Sequence, residues 1–254
     1  IAQVYWSLYF ESVRASGKNH WVISRSSPRA ILETAAAYEA LGTEIKLFES
    51  DPKDLLSVRT ALLSCESANP ISGKVRPIEA LSQAARTCHT YLHIDISAGL
   101  GSQWIDLETC RPDYITYQGR EPGCGVLWVE DKAPIQALLM GSRGQPLRSG
   151  ALDVDLVKKL GDEIDQKISH VQTCAMEMSS LREQITSQLK GAVIHPSDLP
   201  HVLVFEYTDI HGELLAFHLD QAGISAQIGG ESEVPLSSLI DSECAVSLDL
   251  RTLR

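Results

Sequence analysis

The clearest candidate for a functional residue in this sequence is an aspartate, Asp95, at the end of an apolar segment. Residues 92–95 predict a buried strand that ends in Asp95, and a turn of small residues leads to further strand patterns at 114–117 and 123–129. An acid at the carboxyl end of an apolar strand of an α/β protein lies where ligands bind in such sheets. The plainer interpretation of Asp95, as a helix N-cap or a turn acid, stays open.

A loop after an earlier strand pattern holds a second candidate. Asn69-Pro70 and Ser72-Gly73 are pairs typical of a loop. Asn69 as a plain turn former needs no ligand, so a turn role and a ligand contact are both open at this residue.

The thiols do not indicate a metal site. The six cysteines are widely scattered, with no C-x-x-C pair and no histidine at metal spacing, which fits reduced thiols in a cytosolic protein. His170, Cys174, Met176 and Met178 share a long amphipathic segment, where helical spacing favours core and surface positions. We therefore predict no metal.

The bulk composition describes a globular protein. The chain has 254 residues, of which 44% are hydrophobic and 22% charged, and a formal net charge of -11. That charge argues against a nucleic-acid partner, since binding phosphates requires clustered Lys and Arg. No apolar run approaches the length of about 20 residues that spans a bilayer, and no signal peptide is recognisable. We expect a cytoplasmic protein without membrane contact.

Short strand patterns alternate with helical ones through residue 129. This alternation predicts an α/β fold with a mostly parallel, doubly wound sheet. A helix is expected at 53–63, and Ser26 or Ser27 is expected to cap a helix that starts near Pro28.

The second half of the chain predicts a different organisation. A long helical region at 155–190 follows a first domain at 1–154 and leads to a smaller α+β domain at 191–254. Strands are expected in that domain at 201–207, 224–228 and 244–250.

Three motifs resemble the cysteine desulfurase branch of the class V aminotransferases, which are pyridoxal-phosphate enzymes of fold type I. His93-Ile94-Asp95 matches the family's His-x-Asp strand end, and 123–129 matches its Gly-x-Gly strand. Arg148-Ser149-Gly150 matches its Arg-Ser-Gly-Thr turn. The resemblance implies a large domain of the pyridoxal-phosphate transferase type that binds pyridoxal 5'-phosphate. The residues that it implies for cofactor binding are Asp95, opposite the pyridine nitrogen, together with Asn69, His93, Arg148 and Ser149.

The resemblance also has implications for partners. The family acts on small amino acids, is homodimeric, and in this branch passes sulfur to acceptor proteins, so it implies the same partners here and a place in iron-sulfur assembly. In the family further residues precede the helix with which this chain opens at Ile1, so an amino-terminal part is expected to be missing from the sequence.

The family's Schiff-base lysine is the main departure. In the family a Ser-x-His-Lys segment follows the second strand, whereas here Tyr117 runs straight into Gln118. Joining the two strands directly is expected to leave no turn between them. The resemblance therefore predicts a catalytic lysine in a segment between Tyr117 and Gln118 that is missing from this sequence.

Further contact positions depart from the family pattern. Ser26-Ser27-Pro28 replaces Glu-His-Pro, whose histidine lies over the cofactor, and Ala151 replaces a phosphate-binding threonine. By strict spacing the family's asparagine falls on Pro70, and by a shift of one residue on Asn69. Residues 229–235 hold no persulfide-forming cysteine, and 245–247 hold no substrate-binding arginine.

Two functional hypotheses follow. The favoured hypothesis is a pyridoxal-phosphate-dependent cysteine desulfurase, a transferase that takes sulfur from L-cysteine. Its lysine would lie in the segment that is missing from this sequence. The alternative is a catalytically inactive, desulfurase-like dimeric protein that serves as a binding or scaffold protein.

Overall fold

The computed structural model describes residues 1–121, 123–141, 147–229 and 234–253. The chain forms two compact units, of which the first comprises residues 1–67, 77–97 and 105–164. The second comprises residues 68–76, 98–104 and 165–254. The predicted domain limits of 1–154, 155–190 and 191–254 stay a prediction.

The first unit contains a six-stranded sheet. Its strands are β1 (His20–Ser24), β2 (Glu44–Phe48), β3 (Thr60–Glu66), β4 (Tyr91–Asp95), β5 (Tyr114–Gln118) and β6 (Gly125–Val129), in the spatial order β2-β1-β3-β4-β5-β6. The first five strands pair in parallel, and β6 pairs antiparallel with β5. This confirms the prediction of a mostly parallel sheet.

Helices cover both faces of this sheet. The α-helices of four or more residues that begin in the first unit are α1 (Ala2–Leu8), α2 (Arg29–Glu39), α3 (Ile78–Thr87), α4 (Leu107–Cys110) and α5 (Val154–Ser169), which continues into the second unit. A π-helical stretch, Tyr9–Val13, and a further helical turn, Arg14–Ser16, extend α1. Trp21 and Ile23 of β1 pack in one buried cluster with residues of α1 and α2, while Val22 packs in another with residues of α3. Because neighbouring residues of a strand point to opposite faces, these clusters lie on the two sides of the sheet, as in a doubly wound fold.

The second unit is α+β, as predicted for the end of the chain. Its sheet has the order β7 (Val193–His195), β8 (Val202–Glu206) and β9 (Ala245–Asp249), all antiparallel. Its helices are α6 (Val171–Gln188), α7 (Gly212–Gln221) and α8 (Leu236–Ile240). The predicted long helix is α5 followed by α6, and the hydrogen bonds from His170 N–H to Gln166 O and from Cys174 N–H to His170 O continue the ladder across the junction.

Two predicted elements are wrong. The helix expected at 53–63 is a short 3-10 turn at Lys53–Leu55 followed by β3, whose seven residues are all buried. A short apolar run without alternation cannot distinguish a buried strand from a helix. The strand expected at 224–228 is a single bridge between Gln227 and Ser247. No helix in the described part of the chain is long and apolar enough to cross a membrane.

Candidate functional site

Asp95 ends β4 at the carboxyl edge of the six-stranded sheet. Asp95 is only 5% exposed, and its Oδ2 accepts a hydrogen bond from Thr116 Oγ1 at 2.6 Å. Oδ1 accepts a bond of 3.1 Å from the backbone N–H of Ser97, which closes an Asx turn. Of the two plainer roles, the turn acid is therefore present, while no helix starts at Asp95.

His93 lies two residues earlier on the same strand and is fully buried. Its Nδ1 lies 2.8 Å from Ser64 Oγ and its Nε2 lies 2.9 Å from Thr116 Oγ1. Burial lowers the pKa of His93 to about 3, so the ring is neutral at physiological pH. The structure thus brings the two sequence-predicted residues His93 and Asp95 together through Thr116.

A pocket of roughly 260 Å³ opens beside Asp95. Its polar lining includes Asp95, Thr116, Gln118 and Cys124, and its apolar lining includes Val126 and Leu127 of β6. A concave site with a few convergent polar groups in an apolar wall is the usual form of a small-ligand site. A buried carboxylate that already accepts one hydroxyl bond can accept a further donor from such a ligand.

The junction between β5 and β6 is a closed hairpin. The two strands pair from Tyr114↔Val129 to Gln118↔Gly125, and Gly119 N–H then donates to Cys124 O at 3.0 Å. The expectation that directly joined strands would have no turn is therefore wrong. The Tyr117–Gln118 bond lies inside β5, and the ladder continues on both sides of it.

Helix α5 holds this hairpin in place. The two carboxylate oxygens of Glu163 accept hydrogen bonds from Tyr117 Oη at 2.6 Å and from Arg120 N–H at 3.0 Å. Gly119 packs so closely on the helix that an added Cβ would lie 2.7 Å from Leu160 Cδ1. Sequence reasoning did not identify Glu163, because a charged residue on an amphipathic helix is usually solvated.

A lysine is lacking where the family would use it. The sequence has no lysine between Asp95 and Val129, and none of the described residues that line the pocket is a lysine. The predicted lysine between Tyr117 and Gln118 stays a prediction, and no irregularity in β5 marks a place for it. Asp95 suits pyridoxal phosphate, but the residues present do not fit a cofactor held as a Schiff base.

Ser26 and Ser27 donate to a buried acid instead of capping α2. Glu66 Oε1 accepts from Ser26 Oγ at 2.7 Å and from Ser24 Oγ at 3.2 Å, and its Oε2 accepts from Ser27 Oγ at 3.0 Å. The N-cap of α2 is Pro28, without a side-chain bond. The capping prediction is therefore wrong, because Glu66, only 2% exposed, takes these hydroxyls.

Asn69 belongs to the second unit and organises its own turn. Its Oδ1 accepts hydrogen bonds from the N–H of Ile71 at 3.0 Å, the N–H of Ser72 at 2.8 Å and Ser72 Oγ at 3.2 Å. The residue is 2% exposed. The turn role that the sequence left open is present, and a ligand contact stays a prediction.

Arg148 and Ser149 lie after the undescribed residues 142–146. Arg148 is exposed, and Ser149 N–H donates to Leu139 O at 3.1 Å. The buried Oγ of Ser149 has no hydrogen-bond partner among the described residues. Neither residue belongs to the described lining of the Asp95 pocket, so their cofactor role stays a prediction.

The carboxyl-terminal part of the chain holds two further positions that the resemblance singles out, the persulfide loop and the substrate-binding arginine. The family's persulfide loop corresponds to 229–235, of which 230–233 lie outside the described residues. Arg251 forms a bidentate pair with Asp249, with Nε–Oδ1 at 2.9 Å and Nη2–Oδ2 at 2.6 Å. In the described part of the chain no group of three or more His, Cys, Asp or Glu could hold a metal ion.

The mostly parallel, doubly wound six-stranded sheet is that of the pyridoxal-phosphate transferase fold. Residues 38–252 match the Aminotransferase class-V family, and the chain belongs to that family. Curated proteins similar to this chain are named cysteine desulfurases.

Curated relatives are about one quarter identical to this chain within the aligned residues. Cysteine desulfurase IscS 1 of Archaeoglobus fulgidus is 25% identical in an alignment of 233 positions that covers 83% of this chain and 60% of that protein. Cysteine desulfurase IscS of Clostridium botulinum (strain Kyoto) is also 25% identical, over 91% of this chain and 64% of that protein. The chain thus spans less than two thirds of the length of these relatives.

Solved structures support the fold. A structure described as a NifS-like protein has a TM-score of 0.87 at 21% identity and covers 98% of this chain and 73% of its own. DndA from Streptomyces lividans has a TM-score of 0.79 at 20% identity, with 97% and 78% covered.

Proposed function

We propose that this chain is a catalytically inactive, cysteine desulfurase-like protein that acts as a dimeric binding or scaffold protein in sulfur or iron-sulfur assembly. The observation that carries the proposal is the closed β5–β6 hairpin. The resemblance implies a Schiff-base lysine at this point of a desulfurase, and the sequence from Asp95 to Val129 contains no lysine.

The hairpin is an integrated part of the fold. Five residue pairs join β5 to β6, and Glu163 binds both the end of β5 and the start of the turn. A lysine-bearing segment inserted between Tyr117 and Gln118 would interrupt the ladder between the pairs Tyr117↔Val126 and Gln118↔Gly125. These contacts support a chain whose hairpin is complete as it stands.

Other contact positions support the same proposal. Ser26 and Ser27 are committed to Glu66, and a serine cannot stack on a pyridine ring. The side-chain oxygen of Asn69 already accepts three hydrogen bonds within its turn. Each of these side chains forms hydrogen bonds within the protein at a position where the resemblance implies a contact with the cofactor.

A second candidate is the enzyme itself. A pyridoxal-phosphate-dependent cysteine desulfurase that takes sulfur from L-cysteine and passes it to an acceptor protein is favoured by one observation, the buried carboxylate of Asp95 at the edge of a 260 Å³ pocket. The activity, substrate and partners of the whole protein are part of these two proposals, as is a cytoplasmic, homodimeric state.

Borohydride trapping distinguishes the two candidates. The protein is incubated with pyridoxal 5'-phosphate, reduced, digested, and its lysine-containing peptides are mapped by mass. The scaffold proposal expects only scattered, substoichiometric labelling that is equal in Asp95→Asn. Stoichiometric labelling of one lysine that Asp95→Asn abolishes would establish a Schiff-base site and overturn the proposal.

The assembly state is tested on the same preparation. Sedimentation equilibrium is expected to give twice the chain mass of 27.8 kDa at micromolar concentration. A monomer across the concentration range would contradict the dimeric part of the proposal.

A further inference from the structure

A line of side-chain hydrogen bonds runs from α1 to Asp95. Tyr5 Oη donates to Ser64 Oγ at 2.9 Å, and Ser64 Oγ lies 2.8 Å from His93 Nδ1. On the other side of the ring, His93 Nε2 lies 2.9 Å from Thr116 Oγ1, which donates to Asp95 Oδ2 at 2.6 Å. All five residues are at least 94% buried.

The direction of every bond in this line follows from donor counts. A carboxylate only accepts, so the single hydroxyl hydrogen of Thr116 goes to Asp95. Thr116 Oγ1 must then accept from His93, which places a hydrogen on Nε2. Since the ring is neutral, Nδ1 is bare and accepts from Ser64.

The bond between Tyr5 and Ser64, at the other end of the line, independently supports the same bond directions. Tyr5 donates to Ser64, so Ser64 keeps its own hydrogen for His93 Nδ1. Burial raises the pKa of Tyr5 above its ordinary value, so its hydroxyl stays protonated. Packing fixes the rings, with the Tyr5 ring centroid 5.2 Å from Trp21 and 6.2 Å from His93, both edge-on.

We infer that His93 is a positioning residue, held as the neutral Nε2–H tautomer by Ser64 and Thr116, and that it orients the Asp95 carboxylate at the pocket through the Thr116 hydroxyl. Because Thr116 Oγ1 bonds both to His93 Nε2 and to Asp95 Oδ2, His93 acts on the carboxylate through Thr116. This inference rests on the proposed function only in that Asp95 lines the pocket of the candidate site, and it holds for a binding protein and for an enzyme alike.

Two substitutions of His93 separate positioning from packing. In His93→Gln the side-chain amide reaches the position of Nε2 and can still donate to Thr116. In His93→Asn the amide reaches only the position of Nδ1, so it can pair with Ser64 but leaves Thr116 without its donor. Both variants lose the buried ring, which makes them matched controls for stability.

The readout is the side-chain carboxyl ¹³C signal of Asp95 at pH 7, assigned by its loss in Asp95→Asn. We expect the signal to keep its position in His93→Gln and to shift in His93→Asn. Equal signals in the two variants would overturn the positioning role. No cofactor enters this measurement, so its failure is distinct from failure of the trapping experiment.

A measurement on the unaltered protein keeps the inference testable if either variant fails to fold. The long-range ¹H–¹⁵N spectrum of the His93 ring is expected to show a protonated Nε2 and a bare Nδ1. A protonated Nδ1, or a ring cation at pH 6, would overturn the assigned direction of the line.

Discussion

Glu66 shows how single residues of this site depart from what their types suggest. It ends β3 beside Asp95, its register partner on β4, and hydroxyls of Ser24, Ser26 and Ser27 bind its carboxylate. These hydrogen bonds satisfy the buried carboxyl oxygens, so an acid is tolerated at the edge of the core. The serines therefore serve the fold at a place where the resemblance would have a ring over a cofactor.

Removing one of these hydroxyls is expected to destabilise the protein. Ser27→Ala leaves Glu66 Oε2 without the 3.0 Å bond, and bonds to charged groups contribute about 1.5–3 kcal/mol. Urea unfolding should show a loss of that size in the free energy of unfolding. Ser16→Ala, which removes an exposed hydroxyl bonded to Ser12 O, is the control and should change it by less than about 0.5 kcal/mol. Equal losses in both variants would show that Glu66 does not depend on Ser27.

The predictability of single residues depended on how local their partners are. Asp95 could be identified because an acid that ends an apolar strand is visible in the sequence. Thr116 and Ser64 could not, because a small polar residue inside a strand pattern has no local signature. Their partners lie 21 and 29 residues away, and only the parallel pairing of β3, β4 and β5 brings them together.

The β5–β6 hairpin is the element on which the functional conclusion depends. Its strands approach closely at Gly125, where an added Cβ would lie 2.8 Å from the carbonyl oxygen of Tyr117. Backbone cannot yield as a flexible side chain can, so glycine is required at this position. The second glycine of the Gly-x-Gly pattern thus has a packing reason in this chain that does not depend on any cofactor.

Paired glycine substitutions test this packing. Gly125→Ala is expected to destabilise the protein by about 1–3 kcal/mol, because the added methyl group overpacks the hairpin. Gly161→Ala in α5 meets nothing within 4 Å and should stabilise the protein by about 0.5–1 kcal/mol through helix propensity. Thermal unfolding of both variants gives the comparison. A Gly125→Ala protein as stable as Gly161→Ala would contradict the close approach of the two strands.

The sequence predicts the fold class of the sheet correctly, but it does not predict every strand in it. Alternating strands and helices fixed a parallel, doubly wound arrangement, since crossover connections require it. Residues 60–66 form β3, yet residues 60–63 fell within the helix expected at 53–63, because an apolar run without period-2 alternation does not distinguish a buried strand from a helix. Their identity as β3 becomes apparent only from the neighbours β1 and β4, which cover both of its edges.

On the scale of the whole molecule, buried neutral histidines link stability to pH. Burial lowers the pKa of His93 to about 3 in the first unit and that of His201 to about 4 in the second. The unfolded chain binds protons at both residues below the ordinary value of 6.5, whereas the folded chain does not. Stability is therefore complete above pH 6.5 and is lost as the pH falls toward the folded pKa values.

Calorimetry between pH 7 and pH 5 should measure this loss. One pH unit below 6.5 costs about 1.4 kcal/mol for each histidine that must stay neutral, so each contributes about 2 kcal/mol by pH 5. Because His93→Gln cannot titrate, its free energy of unfolding should fall by about 2 kcal/mol less than that of the parent over this range, whatever its stability at pH 7. His201→Gln should give the same reduction for the second unit. A variant that keeps the full acid dependence would mean that the replaced histidine is protonated in the folded protein, and for His93 this would also remove the basis for its tautomer.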